Sequence, residues 1–230
     1  MERIVVLSGA GVSADSGIKT FRDADGLWEG HDVMEVASPE GFARNPALVL
    51  DFYNQRRAQL KEVQPNAGHL ALKTLEKYYE VVIITQNVDD LHERAGSSHI
   101  IHLHGELLKA RSVADENCVV DCHDDIELGQ LAPDGQQLRP YIVWFGEAVP
   151  MIIRAAEEMT QADFVIIVGT SMLVYPANSL IDYAPMDAPV FVVDPVRPDI
   201  WSSHQIEHIP ARGAEGLPLL VEKLIEIAHA

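Results

Sequence analysis

Four short apolar runs constrain this chain more than any other feature: Ile4–Leu7, Val81–Ile84, Phe164–Val168 and Val190–Val193. They are rich in Val and Ile and hardly alternate with polar residues. A strand with one wet face alternates, whereas a strand covered on both faces does not. The runs therefore read as strands of a parallel sheet with helices over each face. Helical patterns fall between them, at Pro46–Leu60, at Asn66–Tyr79 after Pro65, at Ile152–Met159 and at Leu217–Ala228. Strands alternating with helices predict an α/β sheet built from crossovers.

The spacing is uneven. Some 70 residues separate the first two runs and about 80 separate the second from Phe164, more than a crossover needs. The excess predicts a smaller inserted lobe, from about residues 25–65 and 108–139. The large lobe then takes about 1–24, 66–107 and 140–230. With 230 residues the chain can bury a sizeable core as one domain carrying that insertion.

Charge narrows the function. Lys and Arg total 17 against 35 Asp and Glu, a net charge of −18. Binding nucleic acid or an anionic membrane surface needs a basic face, so neither is expected as a partner. Among partners, cationic ones such as a lysine-bearing peptide are favoured, while composition alone points first to a charge that keeps the protein soluble. No apolar run reaches the roughly 18 residues of a membrane span. The start Met1–Val5 enters a strand directly, without a signal-peptide pattern, and there are only two cysteines, Cys118 and Cys122. A reducing, cytoplasmic setting is expected.

The chemistry-bearing residues gather at strand ends. Gly9, Gly11 and Gly17 follow the first run. Glycines there let the backbone turn sharply and approach a pyrophosphate, although the spacing is not G-x-G-x-x-G. Gly169-Thr170-Ser171 ends the third run, and Asp194 ends the fourth. Asp194 reads either as an acceptor for ribose hydroxyls or as a turn residue before Pro195. Gln86, Asn87 and Asp89 follow the second run and suit an amide-bearing or hydroxyl-rich ligand, or else cap a helix. His104 precedes Gly105 and can act as a base near neutral pH.

Five of these segments, in order, resemble the sirtuin (Sir2) family. They are Gly9-Ala10-Gly11-x-Ser13-Ala14-x-Ser16-Gly17-Ile18 leading to Phe21-Arg22, Thr85-Gln86-Asn87-x-Asp89-x-Leu91-His92, His104-Gly105, Val143-Trp144-Phe145-Gly146-Glu147, and Gly169-Thr170-Ser171. The resemblance spans about residues 4–224. It implies a Rossmann-type fold and NAD-dependent removal of acyl groups from lysine. Gly9, Ala10, Gly11, Ser13, Phe21, Arg22 and Trp28 would hold and cover NAD. Gln86, Asn87 and Asp89 would meet the nicotinamide ribose and carboxamide. Gly169, Thr170, Ser171 and Asp194 would take the adenosine side, with Gly213 or Ala214 at the adenine. Val143, Trp144, Phe145 and Gly146 would pair as a strand with a substrate peptide. The acyl oxygen would attack ribose C1′ as nicotinamide leaves. His104 would then deprotonate a ribose hydroxyl, which attacks the resulting imidate, and with water the products are lysine, nicotinamide and O-acyl-ADP-ribose.

Tyr53 and Arg56 are three apart on a predicted helix and share a face. A phenol and a guanidinium in a pocket can grip a carboxylate. With Ala37 leaving room, and with Thr20, they resemble the desuccinylase and demalonylase branch. The chain departs from most sirtuins in lacking two C-x-x-C zinc pairs. Residues 111–139 hold Cys118 and Cys122, spaced C-x3-C, then His123. Structural zinc is expected to be absent, and packing of Val119, Val120, Ile126, Leu128 and Leu131 to take its place. A site from Cys118, Cys122, His123 and a carboxylate is the alternative. The expectation is a deacylase acting on acyl-lysine proteins or peptides as a monomer or weak oligomer. Its rivals are a protein ADP-ribosyltransferase, a non-catalytic NAD or ADP-ribose sensor, and a nicotinamide oxidoreductase.

Overall fold

A computed structural model describes residues 1–19, 27–28, 30–200 and 203–229. In chain order the elements are β1 (Arg3–Ser8), α1 (Gly11–Ala14), β2 (Leu27–Trp28), β3 (His31–Asp32), α2 (Val33–Val36), α3 (Pro39–Arg44), α4 (Pro46–Glu62), α5 (Ala67–Leu75), β4 (Glu80–Thr85), α6 (Leu91–Arg94), β5 (Ile100–His102), β6 (Gly105–Ser112), β7 (Val119–Asp121), β8 (Leu138–Ile142), α7 (Ile152–Met159), β9 (Phe164–Val168), a 3-10 helix (Ala177–Tyr183), β10 (Val190–Val193), β11 (Ile206–Ile209) and α8 (Gly213–Ala228). None of the described helices is long and apolar enough to cross a membrane.

Six strands form a parallel sheet in the order β11-β10-β9-β1-β4-β5. The four apolar runs are its four central strands. Their lack of alternation has a direct cause. Ile4 and Val6 of β1 face a layer containing Leu72 and Leu75 of α5 and Leu217, Leu220 and Leu224 of α8. Val5 and Leu7 face the opposite layer, with Ala155 and Met159 of α7 and Leu180 and Ile181 of the 3-10 helix. Both faces are dry, so both sets of side chains must be apolar.

The edge strands β5 and β11 were not among the expected strands. Each is short, and β11 carries Glu207 and His208 between its two Ile residues. A sheet edge is only half covered, so its sequence loses the signature of its neighbours. Helix α5 ends at Leu75 rather than Tyr79, and α8 begins at Gly213 rather than Leu217. Pro218 hides that earlier start, because proline usually interrupts a helix interior.

The antiparallel sheet β7-β6-β8 packs against α4. Asn45 caps α4, accepting from the Leu48 amide at 3.2 Å, with Pro46 at its first position. The apolar filling here differs from expectation. Ile126 is buried and Val120 partly so, but Leu128 and Leu131 are 64% and 60% exposed. Leu50 of α4, Ala110, Ala132 and Leu138 supply the buried side chains instead, with Phe42, Cys118 and Cys122 packed against them.

The antiparallel ladder runs past both ends of β7, through Ser112 N to Cys118 O at 3.0 Å and Cys122 N to Leu108 O at 2.8 Å. Residues 118–122 are thus extended, which separates the two cysteine Cα atoms by roughly 13 Å. Thiolates sharing a zinc must lie within about 4 Å of each other, so these two cannot. Both thiols are free, and the described residues gather no group of three or more metal-ligating side chains.

Candidate active site

The chain runs from β1 outward through β4 to β5, then returns to lay β9, β10 and β11 on the other side of β1. The order reverses between β1 and β9, and open α/β sheets bind ligands in the crevice at that point. The loops after β1 and β9 flank it. Gly9 N donates to Val168 O at 3.0 Å and Gly11 N to Gly169 O at 2.8 Å. A Cβ on Gly9 would lie 2.7 Å from Gly169 O, and one on Gly11 2.7 Å from Gly169 Cα. Gly169 itself sits at φ 61°, a conformation that favours glycine. The first two glycines therefore let two loops of the protein touch, rather than making room for a ligand alone. Ala10 N takes no part in these bonds.

A chain of buried polar groups runs along the same edge. Asn87 Nδ2 donates to Ser13 Oγ at 3.0 Å, and Ser13 Oγ donates to Asp89 Oδ2 at 3.0 Å. Asp89 Oδ1 accepts from Leu91 N at 3.1 Å. Burial pushes the Asp89 carboxyl up to about 6. Gln86 Nε2 donates to Thr170 Oγ1 at 3.0 Å, which joins the β4 loop to the β9 loop. Ser171 follows on the same loop.

His104 lies just past β5. Its Nδ1 is 3.1 Å from Gln86 O. A carbonyl can only accept, so Nδ1 carries the proton and Nε2 keeps a lone pair. Burial lowers the pKa of this ring, which favours the neutral form a base needs. Val143 N donates to His104 O at 2.9 Å, bringing the 143–146 segment beside it. That segment is a turn and not a strand, since β8 ends at Ile142 and Gly146 has φ 90°. Trp144 is buried there, and Phe145 is largely exposed, with its amide donating to Ala37 O at 2.9 Å.

At the far side, Asp194 is buried after β10. Its Oδ1 accepts from Val196 N at 3.0 Å, so it does make the turn. Gly213 packs on Val12, and Ala214 N donates to Asp15 Oδ2 at 3.3 Å. Phe21 and Arg22, like Thr20, lie outside the described residues.

Helix α4 presents Tyr53, Arg56 and Gln59 to a cavity of about 50 Å³, also lined by Trp28, Lys19 and Asp89. Tyr53 is fully buried and its phenol is pushed up by burial, so it stays protonated. Trp144 Nε1 donates to Tyr53 Oη at 3.0 Å, which leaves the Tyr53 proton to be given elsewhere. The Arg56 guanidinium stacks 4.7 Å from the Phe52 ring centre. Beside it, Arg57 is buried, with Nε donating to Leu107 O and Nη1 to Asn54 Oδ1.

The supports beneath the site leave little signal in the sequence. Asn66 caps α5 through Gly68 N at 2.9 Å, and its Nδ2 donates to Val12 O and Ser16 Oγ at 2.8 and 2.9 Å. It ties a helix start to the glycine loop. His92 Nε2 lies 3.1 Å from Ser8 Oγ, and its ring meets His69 at 4.9 Å. The Pro65-Asn66 pair signalled a cap, but the histidine contact had no local signal.

The crevice fits a dinucleotide. It stands at the switch point, between two glycine loops, and the buried residues Asn87, Asp89, Thr170 and Asp194 near these strand ends carry the amide, carboxyl and hydroxyl functions that ribose and a carboxamide would need.

Comparison with known proteins agrees. The family model described as "Sir2 family" matches residues 9–176. A protein of Helicobacter pylori (strain ATCC 700392 / 26695), named NAD-dependent protein deacylase, is 58% identical over 228 residues, covering 99% of this chain and 100% of that one. A crystal structure of a Sir2 homologue with NAD superposes with TM-score 0.87 at 36% identity, covering 98% of this chain and 90% of that one. A Sir2 variant solved with a deacetylated peptide and 3′-O-acetyl ADP-ribose gives TM-score 0.76 at 25% identity, covering 97% and 92%. On the matched residues, the full-length identity and the shared architecture, this chain belongs to the Sir2 family.

Proposed function

We propose that this chain is an NAD-dependent protein-lysine deacylase that removes succinyl and malonyl groups, and also acetyl groups. The observation that carries the reading is the pairing of one neutral base with one cationic cavity. His104 offers a lone pair at Nε2 near the crevice. Tyr53 and Arg56 line a cavity that also reaches Asp89, one of the residues we assign to the cofactor.

Bound NAD supplies a ribose carbon that loses nicotinamide and a ribose hydroxyl that accepts the acyl group. The protein's own work is to place and to shield. Gly9, Ala10, Gly11 and Ser13, with Phe21, Arg22 and Trp28, hold and cover the cofactor in this reading. Gln86, Asn87 and Asp89 orient its nicotinamide half. Gly169, Thr170, Ser171 and Asp194 hold its adenosine half, with Gly213 or Ala214 beside the base. His104 takes a proton at Nε2 while Gln86 O steadies Nδ1. Val143, Trp144, Phe145 and Gly146 receive the peptide backbone, which needs no particular substrate sequence. Ala37 accepts the Phe145 amide and so anchors that segment.

The acyl end follows from α4. A carboxylate entering the cavity meets the Tyr53 proton and the Arg56 guanidinium, both in a low-dielectric setting that strengthens such bonds. The net charge of −18 suits lysine-rich partners. The two free thiols are the ground for placing the protein in the cytoplasm. The division into lobes near residues 25–65 and 108–139 belongs to the same proposal, with the α4 and β6 face forming one wall of the acyl cavity.

The test is mass spectrometry of one lysine peptide in acetyl, succinyl and malonyl forms, with and without NAD, on wild type and Arg56→Met. NAD-dependent loss of succinyl or malonyl, with O-acyl-ADP-ribose appearing, is the expected result. Arg56→Met should lower succinyl turnover at least about tenfold more than acetyl turnover, the scale of a lost charged hydrogen bond. Equal losses refute the carboxylate grip. Loss of no acyl group moves the assignment to ADP-ribosyl transfer or sensing.

A further inference from the structure

The segment Gln86–Asp90 between β4 and α6 belongs to no helix or strand, yet its carbonyls still need donors. Val88 O accepts from Leu107 N at 2.8 Å and Asp90 O from Arg94 N at 2.9 Å, while two histidines meet the carbonyls of Gln86 and Asn87. His104 serves Gln86 O. His102, at the end of β5, has Nδ1 3.0 Å from Asn87 O and Nε2 2.7 Å from Glu93 Oε1. Both acceptors lack hydrogens, so both ring nitrogens of His102 must donate, and the ring is an imidazolium. The two neighbouring histidines therefore differ in state. His104 keeps a lone pair, while His102 is a charged anchor held by the carboxylate of α6.

We infer that Glu93 and His102 form a positioning pair, which fixes the Asn87 carbonyl and through it the Asn87–Ser13–Asp89 hydrogen-bond chain that faces bound NAD. The inference rests on the NAD-binding reading for the role of Asn87 and Asp89. The charge matters as well as the bond. An imidazolium donates to a carbonyl more strongly than a neutral ring, and it lies among Asp89, Glu93, Glu106 and the neutral His92. With Glu93 ionised, the anchor keeps its proton to higher pH than an ordinary imidazole. Without it, His102 loses its proton as pH rises, and Asn87 keeps only a weak bond.

The experiment uses the full chain and isothermal titration with NAD from pH 6 to 8.5, on wild type, Glu93→Gln and His102→Gln. Wild-type affinity should hold to higher pH than that of Glu93→Gln. Glu93→Gln should match wild type near pH 6 and weaken about five- to tenfold by pH 8.5. His102→Gln should be weakened to a similar degree at every pH. The KM for acyl peptide should move less than twofold while the KM for NAD follows the titration. Imidazole ¹⁵N shifts should show His102 losing its second proton at higher pH in wild type than in Glu93→Gln. NAD binding by Glu93→Gln that tracks wild type at all pH overturns the pair, as does a His102 that titrates at the same pH in both proteins. Equal changes in both KM values would mark a general structural defect and refute positioning. Failure of wild type to bind NAD at all would overturn the cofactor reading and this role together, whatever the imidazole shifts show.

Discussion

His69 and His92 lie ring to ring beneath the glycine loop, 0% and 1% exposed. Burial pushes them down to about 4 and about 3. In the unfolded chain both titrate near 6.5. The sign follows from linkage. Above about pH 6.5 neither state binds these protons, and the stability is fully present. As pH falls below 6.5 the unfolded chain binds two protons that the folded one refuses, so stability is lost. At pH 5, about 1.5 units below the unfolded value, each ring contributes about 2 kcal/mol of loss, or about 4 kcal/mol for the pair. That is a large share of the roughly 5–15 kcal/mol a domain holds. Asp89 acts oppositely, because its folded value is raised to about 6 and protonation there favours the folded state. The pair is therefore isolated by difference. Urea unfolding of wild type and of His69→Gln/His92→Gln at pH 7.5 and 5 should show wild type losing about 4 kcal/mol more than the variant between the two conditions. The same loss in both proteins would refute the claim that the two rings are buried and neutral.

Other expectations are separable. His104→Ala should still bind NAD in a calorimeter while deacylation falls at least about 100-fold, the usual scale of a lost general base; surviving turnover would remove the assignment. Gly11→Ala places a Cβ 2.7 Å from Gly169 Cα, so the two loops must part; NAD affinity should fall along with the thermal midpoint, and an unchanged midpoint would contradict the loop contact. Elemental analysis should find less than one zinc per chain, and a chelator should leave the unfolding midpoint in place. A stoichiometric ion would overturn the geometry of Cys118 and Cys122. Asn66→Ala should lose about 1 kcal/mol as a helix cap, and the further loss of its bonds to Val12 and Ser16 should add to that in the same urea titration.

The central sheet is legible in the amino-acid sequence alone. Ile4–Leu7, Val81–Ile84, Phe164–Val168 and Val190–Val193 are apolar at every step because both faces of each strand are covered, and that demand is local to each strand. The sequence also placed Gly9, Gln86 and Gly169, because loops at the ends of parallel strands must converge on one edge, whereas His104, which follows the unexpected edge strand β5, stood out only by the glycine after it and by the family resemblance. Spacing could mark Tyr53 and Arg56 as sharing a helix face, since helical periodicity is local too. The remaining features depend on contacts between segments distant in the chain. The glycine loops touch each other, which no spacing reveals, because Gly9 and Gly169 are far apart in the chain. Leu128 and Leu131 point to solvent because Leu50, from a distant helix, already fills the space beneath the small sheet. Cys118 and Cys122 look like a pair on paper, yet an extended ladder holds them apart. The protonation of His102 and His104 depends on which atoms sit opposite each ring nitrogen: a carboxylate and a carbonyl for one, a single carbonyl for the other. Two identical side chains, two residues apart, acquire different chemistry from their neighbours, and those neighbours come from other parts of the fold.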